Sequence, residues 1–576
     1  MSNNTVAREL FDGFSGFGLS SVRGKGACRL DNFRVLADGS LEKREGMRQI
    51  ASLPLAVRGI CSFADADGEV LLAVAGNRLY RLTSEGETSF SSCFTSENGK
   101  VGFFRYGGRL YLLDGAHLYR YEGGCEVTKV SGYTPLYGKD WDPLYVNQSI
   151  NEPINLLSPR IRIRYLSSEP IESVQIGLVV ESVEWILVNG RTLDALSYSL
   201  LYDRRGIAFS APVICETMEI CVRLPVSSYF DENFVSSVSS AVYEDFENSR
   251  VFLYGGKKPS TLYVSSPVAR ESLQADRVRF TDSCGLYFPS GRALSFGNGQ
   301  PITAIGRIYD RMTVFSPSSL WVTERLGATE RFGVQFMPIC HHRGCSAQGA
   351  LLLTGAASPI TVSDGGIYRW KIDSDLLDEC ITRKISEDIA PLLDESFWQR
   401  AEVCHNRSRA ELWFYAKGDT EGRIFIYSLD REVWYSFHGI AVDGLFAFGG
   451  GVGAVRGGEV FLFDERLPFD QTAEGEKPIE AFFTSGWLDF GGVEADKHLA
   501  RATLIATFGE GVRVGVDDGE RLFELTLKAA DRQAPDIYDL RTPTGRFRSA
   551  RLTLTADGPN RQRIYRAELL AQKGKE

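Results

Sequence analysis

A loose repeat constrains this chain most: a turn signal, a short apolar strand, a glycine, and a return strand ending in an apolar–aromatic pair such as Leu-Tyr. Tight turns between short strands of β-branched and aromatic residues, recurring at about 40 residues, are typical of β-propeller blades. Weak repeats fuse or split easily, so the pattern predicts six to eight blades. The copies lie at residues 59–82, 101–121, 241–264, 302–322, 350–372, 410–435 and 445–463.

Composition agrees with an all-β fold. The chain has 576 residues, 43% hydrophobic and 24% charged, with 58 glycines and 11% aromatic residues, which favours turns and pleated sheets. A net charge of −10 argues against broad adhesion to nucleic acid or anionic membranes, although a small local patch could still contact DNA. Eleven cysteines without regular spacing indicate reduced thiols and not a disulfide framework.

The N-terminal sequence at 1–5 lacks the apolar core of a secretory signal peptide. No segment approaches the roughly 18 consecutive apolar residues of a membrane helix. The sequence therefore predicts synthesis in a cytoplasm and no membrane span.

Changes in the repeat divide the chain into five parts. Strictly alternating strands replace it between blades and again near the C-terminus, and these predict an inserted and a C-terminal β-sandwich. In the first part, an Asp-Gly hairpin at 30–46 is expected to close the propeller by pairing into the last blade. Residues 388–403 have helical spacing and predict the one credible helix. The parts are 1–50 (N-terminal arm and closing hairpin), 51–134 (first blades), 135–235 (inserted sandwich), 236–470 (remaining blades) and 471–576 (C-terminal sandwich).

Two segments suggest metal ligands. Residues 65–68 (Asp-Ala-Asp-Gly) resemble the start of a calcium loop, but Val70 and Leu71 follow where further ligands are needed, so a hairpin turn is the interpretation. Residues 340–345 hold two cysteines and two histidines without a second pair at zinc-finger spacing; the nearest, at 404–405, is isolated. We predict no metal site and no cofactor.

The sequence gives little support to a catalytic function. The sequence contains no nucleophile elbow, phosphate loop or dinucleotide fingerprint. Propeller glycosidases repeat a Ser-x-Asp-x-Gly-x-Thr-Trp turn, whereas residues 363–370 match it once and with the wrong spacing. We therefore predict that the chain is not an enzyme and name no catalytic residues. A hydrolase would need acids and arginines clustered at the propeller mouth.

Arginines alternate at 160–164 and recur at 548–551. They could face phosphates of DNA, but alternating arginine on a strand more often marks a solvated sheet face paired with acids. Both interpretations are kept.

The N-terminal segment resembles the opening of many bacteriophage tail structural proteins. There a glycine-rich arm, as at 14–18, leads to an Asn-Phe … Gly-x-Leu-x-x-Arg-x-Gly hairpin, as at 32–46, and then to propeller repeats. The segment 483–490 (Phe-Thr-Ser-Gly-Trp-Leu-Asp-Phe), followed by Lys497 and a sandwich, is a second similarity. The family most similar is the podovirus tail nozzle, or tail tubular protein B, with related propeller-like tail hub proteins.

This resemblance implies a virion structural protein without enzyme activity, made in the bacterial host cytoplasm. Its copies would form a homo-oligomeric ring, six-fold in symmetry, that binds other tail or head-to-tail adaptor proteins and through which double-stranded DNA passes during ejection. A cyclic ring needs heterologous contacts between neighbours. The expected interface residues lie on the arm and the C-terminal sandwich: Phe11, Phe14, Phe17, Phe33, Trp487 and Phe490.

One alternative is a receptor- or carbohydrate-binding tail module. It would show exposed aromatic clusters on the sandwich domains, near Trp141 or Trp185. A second alternative is a propeller glycoside hydrolase.

Overall fold

The structure, a computed structural model, describes most of the chain in two compact units. Unit 1 comprises Met1–Phe90 and His342–Glu576, and unit 2 comprises Ser91–His341. The described residues are 6–18, 24–65, 68–92, 94–145, 149–226, 234, 236–244, 249–266, 286–296, 299–308, 311–323, 334–353, 358–372, 380–472, 475–507, 510–527, 535–540 and 546–573.

Unit 1 begins with five strands: β1 (Val6–Phe11), β2 (Ala27–Asp31), β3 (Phe33–Val35), β4 (Leu41–Lys43) and β5 (Gly46–Ser52). The segment predicted as an N-terminal arm and closing hairpin, 1–50, contributes these strands to sheets built by distant segments. Strands β1 and β4 pair with β49 (Arg563–Lys573), β2 pairs with β43 (Ala481–Ser485), and β5 pairs with β40 (Glu459–Asp464).

Four four-stranded sheets of the blade type follow in unit 1. The last one closes with β5 as its outer strand, so the strand after the predicted hairpin, and not the hairpin itself, pairs into the final blade. The four sheets are β6 (Val57–Asp65), β7 (Gly68–Ala75), β8 (Arg78–Thr83) and β9 (Gly86–Ser92); β30 (Leu351–Leu353), β31 (Pro359–Ser363), β32 (Gly366–Ile372) and β33 (Cys380–Lys384); β34 (Ala401–Asn406), β35 (Glu411–Ala416), β36 (Ile424–Ser428) and β37 (Val433–Phe437); and β38 (Gly444–Phe448), β39 (Gly451–Arg456), β40 and β5.

Unit 2 contributes three further blade sheets. The Gly107-Gly108 turn shows why the pattern makes hairpins: both residues have positive φ (57° and 74°), as a type I′ turn requires. The sheets are β10 (Gly102–Tyr106), β11 (Arg109–Leu113), β12 (Leu118–Gly123) and β13 (Glu126–Lys129); β22 (Ser239–Tyr243), β23 (Arg250–Tyr254), β24 (Thr261–Val264) and β25 (Leu294–Ser295); and β26 (Ala304–Ile308), β27 (Arg311–Ser316), β28 (Ser319–Thr323) and β29 (Phe336–Cys340). The fold is all-β and propeller-like, and its described residues hold seven blade sheets, within the predicted six to eight.

The inserted β-sandwich also lies in unit 2. Its five-stranded sheet has the order β14-β15-β21-β17-β18 and its three-stranded sheet the order β16-β20-β19. Because successive side chains of β15 point to opposite faces, Ile161, Ile163 and Tyr165 all lie in the buried core between the two sheets. The strands are β14 (Leu136–Trp141), β15 (Arg160–Leu166), β16 (Ile171–Gln175), β17 (Ser182–Val188), β18 (Arg191–Thr192), β19 (Tyr198–Leu200), β20 (Gly206–Val213) and β21 (Thr217–Arg223), with a 3₁₀ turn at Ala195–Ser197.

The C-terminal β-sandwich is completed by the N-terminal strands. One sheet has the order β3-β4-β49-β44-β47, with β1 also on β49. The other runs β2-β43-β48-β45-β46 and continues through β2 into β37 of a blade. The remaining strands are β41 (Phe469–Thr472), β42 (Gly475–Pro478), β44 (Lys497–Thr507), β45 (Val512–Asp517), β46 (Leu522–Thr526), β47 (Asp536–Leu540) and β48 (Arg551–Ala556).

The helix predicted at 388–403 is instead three elements. A 3₁₀ helix at Glu387–Leu392 ends just after Pro391, and a single α-helical turn, α1 (Glu395–Arg400), begins where the Asp394 carboxylate accepts a hydrogen bond from the Phe397 amide at 2.8 Å. Strand β34 starts at Ala401. Proline stops one helix and the Asp394 cap starts the next. Further 3₁₀ turns lie at Gln348–Ala350 and Arg407–Arg409.

Within the described residues, no helix has the length and apolar character needed to cross a membrane.

Candidate functional site: a buried ionic cluster built on the N-terminal motif

The Asn-Phe-Arg motif begins at a kink between β2 and β3. Asn32 adopts a left-handed backbone (φ 60°), which asparagine tolerates better than most residues. Its side-chain amide donates to the Glu480 carbonyl at 2.8 Å, and its Oδ1 accepts from Arg44 Nε at 3.0 Å and from the His438 amide at 2.8 Å. One asparagine therefore ties the sandwich, the hairpin and a blade of unit 1 together.

Arg34, two residues later on β3, is 1% exposed and lies between two buried carboxylates. Its guanidinium donates to Glu45 and Glu411, with Nη2 at 3.0 Å from Glu45 Oε1 and 3.1 Å from Glu411 Oε2. The guanidinium carbon also lies 5.2 Å from the Phe437 ring centroid. This bidentate geometry on both sides suits arginine and not lysine.

Glu411 opens β35 and is surrounded by donors. Its carboxylate accepts hydrogen bonds from the Tyr435 hydroxyl at 2.7 Å, the Trp413 indole at 2.9 Å and the Asn406 amide at 3.4 Å, besides those from Arg34. Burial and the neighbouring Glu411 charge raise the pKa of Tyr435 well above its ordinary value, so this hydroxyl stays a donor. The carboxylate is thus fully paired inside the blade.

Arg44 makes a second buried ion pair. Its Nη1 and Nη2 donate to the two Asp470 oxygens at 2.8 and 2.6 Å, and Nη1 also donates to the Glu45 carbonyl at 2.9 Å. Asp470 Oδ1 accepts a further bond from the Met47 amide at 3.1 Å. The pair fixes β41 against the start of β5.

Arg34, Arg44, Glu45, Glu411 and Asp470, here called the ionic cluster, therefore join the hairpin, a blade and the β41 hairpin of unit 1. Each member is at most 5% exposed. Because the charges face each other and are shut off from solvent, none can contact a substrate, and the cluster does structural and not catalytic chemistry. Removing one partner of a buried pair is costly, because the other charge is then buried without its countercharge.

Burial raises the pKa of the Glu45 carboxyl, but the Arg34 charge and hydrogen bonds outweigh it and lower that pKa to about 2. Because the folded pKa lies below the ordinary value of about 4.3, Glu45 stabilises the fold above roughly pH 4.3 and loses that contribution, about 3 kcal/mol, as pH falls towards 2. We expect the thermal midpoint of Glu45→Gln to lie far below that of the natural chain at pH 7, with the gap narrowing towards pH 2. A gap between the two thermal midpoints that stays the same from pH 7 to pH 2 contradicts this assignment.

Five of the six expected interface residues lie in the core of their own chain. Phe11, Phe14, Phe17, Phe33 and Phe490 are at most 7% exposed. Phe11 and Phe14 pack on Phe483, with ring centroids 6.3 and 5.1 Å away. Their aromatic surface is thus used within unit 1 and is not presented to a neighbour. Trp487 alone is partly exposed.

Four of the five arginines at 160–164 and 548–551 are paired with acids. Arg162 Nη1 lies 3.1 Å from Glu219, and Arg164 Nε lies 2.7 Å from Asp140. Arg548 and Arg551 pair with Asp496 and Asp517. Arg160 donates instead to the Ser158 hydroxyl at 3.2 Å, and Arg162 is only 6% exposed. The pairing with acids that the sequence suggests is therefore present, but the face of β15 is not solvated throughout.

The suggested metal segments have other roles. The thiol of Cys345 is buried, which raises its pKa to about 12, and it donates to the Ala347 carbonyl, while His341 and His342 are exposed. Among the described residues no group of three or more His, Cys, Asp or Glu side chains is placed to hold a metal ion. Asp65 and Gly68 end the β6–β7 ladder as a hairpin turn; residues 66–67 lie outside the described residues.

The segment that weakly matched a glycosidase turn, 363–370, is the β31–β32 hairpin. Ser363 pairs with Gly366, and Gly365 has a φ of 75°. Trp141, a candidate for an exposed carbohydrate-binding aromatic, is 1% exposed in the inserted sandwich, and Trp185 is half-buried.

No protein-family model matches the chain, and no curated protein matches it significantly. Among solved structures, PorZ, an essential bacterial surface component of the type-IX secretion system of Porphyromonas gingivalis, is 12% identical with a TM-score of 0.34 and covers 83% of this chain; the chain spans only 46% of PorZ. The Neurospora crassa Pan2 WD40 domain (7% identity, TM-score 0.34) covers 73% of this chain and 95% of its own length. The Nup159 N-terminal domain (8%, 0.31) covers 73% and 94%. Likeness this remote carries no functional argument.

Proposed function

We propose that this protein is a structural component of a bacteriophage tail, a nozzle or hub ring through which the genome passes, without catalytic activity. The observation that carries the proposal is the ionic cluster. The residues on which the resemblance rests, Asn32, Arg34, Arg44 and Gly46, are those that fasten the N-terminal strands to a blade and the sandwich of unit 1.

The electrostatics support passage of DNA and not its retention. The net charge is −10, and Arg162 and Arg164 of β15 and Arg551 of β48 are paired with acids. A surface of this balance repels phosphates, so DNA would pass along it without adhering. A buried, multiply bonded junction also suits a part that must withstand force during ejection.

The test is the oligomeric state of the purified protein. We expect multi-angle light scattering to report a mass several times 63.9 kDa, and negative-stain images to show six-fold rings with a channel at least about 20 Å wide, enough for duplex DNA.

A matched experiment separates failed assembly from a wrong proposal. The chain is co-expressed with the genes that neighbour its own, and any assembled particles are analysed by mass spectrometry. A chain that stays monomeric alone and is also absent from every assembled particle contradicts the tail-ring proposal.

A further inference from the structure

Two strands of the C-terminal sandwich, β1 and β46, have one unpaired side each. Among the described strands, β1 pairs only with β49 and β46 only with β45. The outward backbone groups of Val6–Phe11 and Leu522–Thr526 form no backbone hydrogen bond with any residue that the structure describes. A free sheet edge of this kind is a template for a further strand.

Neither strand has the proline, lysine or bulge that commonly blocks a sheet edge. Their sequences are Val-Ala-Arg-Glu-Leu-Phe and Leu-Phe-Glu-Leu-Thr, and each keeps an unbroken register with its one neighbour. Each also exposes a large aliphatic side chain, Val6 at 51% and Leu522 at 55%. The edges of the inserted sandwich differ, because β18 is two residues long and the pairing of β14 is broken by register shifts. The edges β1 and β46 are therefore open to a strand from another chain.

The exposed face of β1 carries one charge between two aliphatic residues. Successive side chains of a strand point to opposite faces, so Val6, Arg8 and Leu10 lie on the face away from the buried Phe11. The Arg8 side chain is 53% exposed. This face of β1 can therefore offer a positive charge to an added strand.

The exposed face of β46 carries the opposite charge. Leu522, Glu524 and Thr526 are exposed, while Phe523 and Leu525 on the other face are half-buried. Antiparallel alignment of β46 with β1 that sets Glu524 opposite the arginine of β1 also sets Leu522 opposite the leucine and Thr526 opposite the valine. The two edges thus match in charge and in apolar character.

Existing ion pairs extend this match beyond the two edge strands. Arg8 pairs with Glu568 of β49 at 2.7 Å, and Glu524 pairs with Arg513 of β45 at 3.6 Å. All four side chains are at least 20% exposed. Contact between Arg8 and Glu524 would join the two pairs into one row of alternating charge across four strands.

The charges also select the partner. Pairing of either strand with its own copy, centred on the charged residue, sets two arginines or two glutamates opposite each other, which destabilises a sheet. The two strands complement each other and lie in different sheets of the sandwich, so β1 of one copy can meet β46 of a second. A contact between two different surfaces is heterologous, and repetition of such a contact generates a ring when the rotation closes.

We propose that neighbouring copies of this chain are joined by strand addition, with β1 of one copy antiparallel to β46 of the next and Arg8 against Glu524. The inference rests on the proposed tail ring and names the contact that builds it. The contact lies on the two segments expected from the sequence, the N-terminal residues and the C-terminal sandwich. It uses backbone edges and charged side chains in place of the buried phenylalanines.

The test reverses the two charges one at a time. Arg8→Glu sets like charges together at every contact, and Glu524→Arg does the same, so each variant alone should need roughly tenfold or more protein to form rings in light scattering. An equal mixture of the two variants should form rings at the concentration that the natural chain needs. Copies that alternate around an even-membered ring restore opposite charges at every contact.

Folding is controlled within the same experiment. Each variant breaks only a partly exposed ion pair of its own chain, so its thermal midpoint should stay close to the natural value, and mixing would not repair a folding defect. The matched control is Arg548→Glu, which reverses an arginine whose side chain is 73% exposed elsewhere in the sandwich and should assemble like the natural chain. Amides of β1 and β46 should exchange more slowly in rings than in the separated variants.

The outcomes separate this contact from the ring itself. If the natural chain forms rings, the contact is overturned by single variants that assemble equally well or by a mixture that stays dissociated. It is also overturned if the amides of β1 and β46 gain protection only when a different protein of the particle binds. A natural chain that forms no ring, either alone or in particles co-expressed from neighbouring genes, contradicts the proposed function and this contact together.

Discussion

Replacing Arg34 by methionine is expected to lower the free energy of unfolding of unit 1 by about 3–5 kcal/mol. Methionine is similar in length and apolar, so the site stays filled. The two carboxylates that Arg34 bridges, Glu45 and Glu411, are 3% and 2% exposed and would then be buried with their main countercharge missing. The penalty comes from those stranded charges and not from lost packing.

The matched control is Arg501→Met. Arg501 pairs with Asp539 in the same unit, but both side chains are more than a third exposed, so the same substitution should cost no more than about 1 kcal/mol. A further variant combines Arg34→Met with Glu45→Gln and Glu411→Gln. It should recover part of the loss, because its buried groups are neutral.

Calorimetry gives the thermal midpoints, and hydrogen exchange of peptides from β3 and β35 shows whether the opening is local to the cluster. Equal losses for Arg34→Met and Arg501→Met would mean that the cluster adds nothing beyond an exposed pair.

The blades can be located from sequence because their signals are local. A glycine pair such as Gly107-Gly108 and the alternating strands beside it specify a hairpin within about ten residues. All seven copies of the repeat correspond to described blade sheets. The prediction of one helix at 388–403 is wrong because Pro391 and Asp394, a stop and a start signal within the same stretch, outweigh its apolar spacing.

Only the part of the ionic cluster that lies in the N-terminal motif can be predicted from the sequence. The motif at 32–46 stands out in the sequence, but its partners Glu411 and Asp470 lie 377 and 426 residues away from the arginines that they bind. A faint signal is present, since Glu411 opens the otherwise apolar strand β35, where an acid is buried only if paired.

The burial of the phenylalanines at 11–17 cannot be predicted from the sequence, because buried and exposed aromatic residues look alike there. Gly16 holds a clue that needs the structure to be understood: a Cβ there would lie 2.2 Å from the Trp434 carbonyl oxygen, so this segment packs tightly on its own chain.

Replacing Gly46 by alanine adds a single methyl group, and we expect it to be among the most destabilising Gly→Ala substitutions in this chain. Gly46 is buried at the start of β5, pairs with Asp464 of β40 and donates its amide to the Leu467 carbonyl at 2.7 Å. A Cβ on Gly46 would lie 1.8 Å from the Phe469 carbonyl oxygen and 2.6 Å from its carbon. These are backbone atoms and cannot swing away, so the strand that closes the last blade must shift.

We expect Gly46→Ala to lower the free energy of unfolding by about 3 kcal/mol or more, as overpacking beyond the usual range does. The loss should appear first as faster hydrogen exchange along β5 and β40, because the closing ladder opens before the rest of unit 1. The matched control is Gly26→Ala. Gly26 also lies among the N-terminal residues, but a Cβ on it would meet no atom within 4 Å and its φ is not positive.

Comparison of the two variants separates the effect of a steric clash at the closing strand from the general effect of replacing a glycine by alanine. If closure of the last blade by β5 is required for the ring that we propose, Gly46→Ala should also fail to assemble under conditions in which Gly26→Ala assembles. The close approach of Phe469 to Gly46 leaves no room for a Cβ. A Gly46→Ala protein with natural stability and natural exchange along β5 would therefore show that the blade closes without this contact.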